Sequence, residues 1–161
     1  EEKIGYISSM VVGLNDALVE LTGALAGLTF TFQNTRLIGV AGLITGIAAS
    51  LSMSASEYLS QKSEKSGKSP VKASLYTGIA YILTVMLLVA PYFLLRDYYT
   101  ALGVTILDAI LVVLFFSFFV SVVRELSFRR MFLEMLLIGL GVAAISFIMG
   151  WLAHGFLGVE I

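Results

Sequence analysis

Asp16 and Glu20 stand one helical turn apart within an apolar run from Ile7 to Phe32, where carboxylates are costly. A helix rises about 1.5 Å per residue, so roughly 20 residues cross a hydrocarbon core of about 30 Å, and Asp16 falls near its middle. An ionisable group at that depth costs about 2.5–3.5 kcal/mol on insertion scales, and such residues mark ion or proton paths. A second group lies in the next apolar run. There Met53 and Glu57 share a helical face, with Ser50, Ser52, Ser54 and Ser56 as neighbouring hydroxyls. A thioether beside a carboxylate suits a borderline divalent transition ion better than Mg2+ or Ca2+, which take all-oxygen ligands.

The elements that must position these groups follow from composition. The chain is 58% hydrophobic and 13% charged, with a mean hydropathy of +0.96, well beyond an ordinary soluble domain. An integral membrane protein is expected. Five apolar stretches, about 6–32, 37–60, 73–95, 101–123 and 132–157, use the whole of 1–161 as one transmembrane domain. All five should be helices, because an open sheet cannot satisfy its backbone in lipid and the alternation of a barrel strand is missing. Of the ten basic residues, Lys3, Lys62, Lys65, Lys68, Lys72, Arg124, Arg129 and Arg130 fall on one side, and Arg36 and Arg96 on the other. The positive-inside rule then puts the N-terminus in the cytoplasm and the C-terminus outside. The fold class expected is all-α, with five spans.

Two stripes of small residues run along the first two spans. Gly13, Asp16, Glu20, Gly23 and Gly27 recur at intervals of three and four, and Gly39, Gly42, Gly46, Ala49, Met53 and Glu57 do the same. Small residues at that spacing let helices approach closely, as in the Gly-x-x-x-Gly pair of Gly23 and Gly27. The spacing also predicts that both carboxylates share the contact face, where they can be hydrated, protonated or bound to a cation. Among the other polar residues, Asp108 either lines an exit route or makes a polar contact within the bundle. Glu134 reads as an interfacial helix partner of Arg130. His154, a single imidazole without neighbouring ligands, reads as an interfacial residue. Pro91 reads as a tolerated kink, and Tyr98, Tyr99 and Trp151 as interfacial anchors.

Several functions find no support. The chain has no cysteine, which removes thiolate metal sites and thiol catalysis. There is no nucleophile with a base, no phosphate loop and no metal-hydrolase spacing, so an enzyme is not expected. Nucleic-acid binding has no basic patch beyond the topogenic lysines. The chain opens on Glu1 and not on Met, which suggests a fragment of a longer protein.

The segments Gly13-Leu14-Asn15-Asp16-Ala17-Leu18-Val19 with Gly23, and Ala48-Ala49-Ser50-Leu51-Ser52-Met53-Ser54-Ala55-Ser56-Glu57-Tyr58-Leu59-Ser60, resemble the vacuolar iron transporter family. That family carries an Asn-Asp-Gly-like motif in its first span and a Ser-Met-x-x-Gly-Glu-Tyr-like motif at the end of its second. The resemblance implies a homodimer whose first helices meet at a central path, exporting Fe2+ or a similar divalent ion from the cytosol in exchange for H+. It further implies that Asp16 and Met53 handle the metal within the membrane and that Glu57 stands near the cytoplasmic entrance. Glu20 is an added acid, expected to join Asp16 in metal binding and proton coupling. Mn2+ is the second candidate cargo, and Co2+ or Zn2+ belong to a broader range. Where vacuolar members carry a long metal-binding insertion, this chain has only QKSEKSGKSPV at 61–71. In that it resembles short prokaryotic relatives with an N-terminal ferritin-like domain. A prokaryotic cell membrane is favoured over a vacuolar one, and the alternative function is a membrane anchor for such a domain.

Overall fold

The computed structural model describes residues 2–64, 69–125 and 127–157, without the side chains of 2–5, 8, 124 and 154. Lys65 and Lys68, and the side chains of Lys3, Arg124 and His154, lie outside the described residues. Five helices follow one another: α1 (Glu2–Phe32), α2 (Thr35–Ser63), α3 (Pro70–Leu94), α4 (Tyr98–Arg124) and α5 (Phe128–Leu157). All five are long and apolar enough to cross a membrane, and the described chain is all-α.

Most helices begin a few residues before the first apolar residue of each stretch, because the signal that starts a helix is its cap. The Asn34 side chain accepts a hydrogen bond from the Leu37 N–H at 3.1 Å and opens α2. Ser69 does the same for α3, with Pro70 in the first turn, where its missing N–H costs nothing. Asp97 opens α4, accepting from the Thr100 N–H at 2.7 Å. Gln33 after α1 and Glu125 after α4 take positive φ values of 50° and 54°, each turning the chain out of its helix. Pro91 stays inside α3 near its end, and the Leu95 N–H still donates to the Pro91 carbonyl at 2.8 Å.

Helix α1 runs through the middle of the bundle and packs on all four others, while α2 lies along α3. The core gathers Leu18, Leu21 and Leu25 of α1, Ile38 of α2, and Tyr81, Val85, Leu88, Val89 and Tyr92 of α3, joined by Ala101, Ala109 and Val113 of α4. Glycines set how close the axes come. A Cβ on Gly46 would lie 2.5 Å from Val85 Cγ1, and one on Gly42 would lie 2.6 Å from Leu25 Cδ2. A Cβ on Gly13 would lie 2.6 Å from the Thr77 carbonyl of α3, and one on Gly27 would lie 2.9 Å from the Ser146 carbonyl of α5. Helix α5 buries little beyond this seam. Outward-facing residues such as Ile44, Leu83, Phe115, Leu137 and Ile145 are apolar and exposed, as a lipid-facing surface requires.

Candidate functional site

Glu20 is exposed and Asp16 half-buried on α1. The Tyr81 hydroxyl donates to Glu20 Oε2 at 2.7 Å, reaching it from a side chain that is otherwise fully buried in α3. The stripe on α1 is therefore not one continuous contact face, as its spacing predicts. Gly13 packs on α3, whereas Gly23 and Gly27 pack on α5 through Val142 and Ser146. Helices α3 and α5 make at most a marginal contact with each other, and Glu20, between the two docking points, is left uncovered.

The second stripe does face inward along its length. Gly39, Gly42 and Gly46 are buried, and Ala49 and Met53 pack against the core. Glu57 comes next on this face, where Ser9 of α1 donates to its Oε1 at 2.6 Å and Gln61 Nε2 donates to the same oxygen at 3.1 Å. Ser9 is itself fixed, since its carbonyl accepts from Thr77 Oγ1 at 3.0 Å. The same end of the bundle is tied by Tyr6, whose hydroxyl accepts from the Ser69 N–H at 3.1 Å. A carboxylate with one oxygen so engaged keeps its second for a ligand. Of the serines, Ser50 donates to the Gly78 carbonyl at 3.1 Å and Ser54 to the Ser50 carbonyl at 2.8 Å, while Ser52 and Ser56 are exposed.

Of the sequence-named residues, Glu20 is thus tied to Tyr81 and Glu57 to Ser9, with Asp16 one turn before the first and Met53, packed on the core, one turn before the second. Among the described residues no three acidic, histidine or cysteine side chains gather where one metal ion could be held. Asp108 is half-buried on α4. Arg130 donates to Glu134 at 2.9 Å in an exposed pair, as expected from the spacing. Sequence reasoning missed Tyr81, Ser9 and Gln61, whose only signal is a hydroxyl in an apolar run or, for Gln61, an amide one turn after Glu57. It also missed Thr22, whose buried hydroxyl finds no partner among the described residues and borders a small cavity with Asn15 between α1, α4 and α5.

The model of the VIT family matches residues 7–67 and 64–151, a stretch that takes in Asp16, Glu20, Met53 and Glu57 and most of the five helices. The chain belongs to the VIT family. No curated protein matches it. Membership in the VIT family together with five membrane-length helices makes this an integral membrane protein of metal-ion transport. VIT is a transporter family.

Proposed function

We propose that this VIT-family chain exports a divalent cation from the cytosol, Fe2+ first and Mn2+ second, in exchange for protons, as a homodimer across the exposed edge of α1. The observation that carries this reading is the uncovered Glu20 beside Asp16, held by the buried Tyr81. One copy supplies two carboxylates at this depth, too few to hold a divalent ion stripped of water. A second copy facing it brings the total to four. Like charges so close cannot all ionise in a medium of low dielectric, so the pair of copies retains protons when empty and releases them to a cation. Protons from the far side then displace the metal.

In this reading Glu57, with its one free oxygen, takes the ion at the cytoplasmic end, and Met53 passes it inward. The excess of basic residues at the end that holds Lys62, Lys72, Arg129 and Arg130 supports a cytoplasmic placement of that end. A prokaryotic cell membrane fits the short connection between α2 and α3. The decisive experiment reconstitutes the protein in liposomes and follows Fe2+ flux together with internal pH. Coupled movement that is lost in Asp16→Asn, with unchanged folding, is the expected result. Unaltered flux in that variant would remove Asp16 from the path, flux without proton movement would make the protein a uniporter, and no flux of Fe2+ or Mn2+ would favour a membrane anchor.

A further inference from the structure

Arg36, in the first turn of α2, and Arg96, in the α3–α4 connection, are the only lysine or arginine residues at their end of the bundle. Both are exposed, and neither forms an ion pair among the described residues. They border one polar cavity of about 540 Å3, floored by Asn34, Thr35 and the end of α3. The adjacent acid, Asp97, forms no ion pair with either among the described residues; its Oδ2 accepts from both the N–H and the hydroxyl of Thr100, at 2.7 and 2.6 Å. Two free guanidinium forks on one cavity match the oxygens of a phosphate.

The cavity shares Phe93 and Leu94 with an apolar groove of about 200 Å3 that continues between α2 and α3 past Leu43, Met86 and Ala90. From Arg36 to Leu43 is about 10 Å along α2 at the helical rise, and Phe93 to Met86 covers the same depth on the antiparallel α3. A cationic head site therefore opens onto an apolar trough that descends toward the middle of the bundle.

We propose that this juncture binds an anionic phospholipid, its phosphate between Arg36 and Arg96 and one acyl chain along the groove at Phe93, Ala90 and Met86. A soluble anion would use the arginines alone and leave the groove idle. The lipid accounts for both, and for two arginines at the end of the bundle that the charge bias otherwise keeps free of cations. This inference is independent of the identity of the transported ion.

Native mass spectrometry of the detergent-solubilised protein tests it, titrating phosphatidylglycerol against phosphatidylcholine of the same acyl chains, with inorganic phosphate as competitor. Phosphatidylglycerol is expected to bind in preference, and the double variant Arg36→Gln/Arg96→Gln to weaken it roughly 30-fold, two interfacial cations being removed. Ala90→Phe, which fills the groove and keeps the charges, is expected to weaken it as well. Both arginines are exposed, so the double variant should retain the parent's elution profile and melting temperature. Equal binding of the two lipids, or equal affinity in parent and double variant, would overturn the proposal. So would displacement of the lipid by equimolar inorganic phosphate, which would make the juncture a site for free anions.

Discussion

At the scale of single residues, one buried phenol governs an exposed acid. Tyr81 has its ring in the core and its hydroxyl at Glu20, so the carboxylate is aimed from inside the protein. Tyr81→Phe keeps the ring and removes the donor. It should raise the KM for metal about tenfold, the equivalent of about 1.4 kcal/mol, close to the lower end of what a hydrogen bond to a charged group contributes. The melting temperature should hardly change, because Glu20 can turn to another donor in its exposed position. Flux measurements across a metal series, with a melt of the same preparation, check both halves. Asp16, Glu20 and Glu57 stood out in the sequence as candidates because a charge in an apolar run is costly. Tyr81 and Ser9 did not, because 61 and 48 residues separate them from the acids they serve, and only helix docking pairs them.

At the scale of elements, the number and kind of helices follow from hydropathy alone, whereas their exact starts depend on Asn34, Ser69 and Asp97, single polar residues outside the apolar runs. Which helix each glycine serves was also hidden, since the spacing of Gly13 and Gly27 is the same whether α3, α5 or another copy lies opposite. Gly27→Ala would set a Cβ 2.9 Å from the Ser146 carbonyl, a backbone atom that cannot rotate away. We expect a loss of about 1–3 kcal/mol, read as a lower melting temperature in detergent. Gly103→Ala meets nothing within 4 Å and should be neutral or mildly stabilising, by up to about 1 kcal/mol. The Asp97 cap carries a pH signature. The hydroxyl and N–H of Thr100 hold its carboxyl below the usual range, so its contribution is full above the ordinary aspartate pKa of about 3.9 and is lost as pH falls through the lowered folded value. Asp97→Asn still caps α4 but does not titrate, and thermal melts through this acid range should fall less steeply for it than for the parent.

At the scale of the whole molecule, the protein lacks cysteine, so any introduced thiol reports on one place. Val12 is exposed one turn before Asp16 and two before Glu20. If the proposed homodimer meets along this edge, Val12→Cys should cross-link to a dimer under mild oxidation in membranes, while Phe115→Cys, on the exposed side of α4, should remain a monomer on a non-reducing gel. The reverse pattern would move the second copy to another face and leave Glu20 to the lipid.

The seam between α1 and α5 joins the first helix of the chain to its last. During synthesis at about 5–20 residues per second, α1 is complete at Phe32, yet Gly23 and Gly27 find Val142 and Ser146 only after α2, α3 and α4 have been made. For several seconds in every molecule's life, the helix that carries Asp16 and Glu20 has its slot for α5 standing open. A nascent chain that stalls before residue 142 has nothing to set against Gly23 and Gly27.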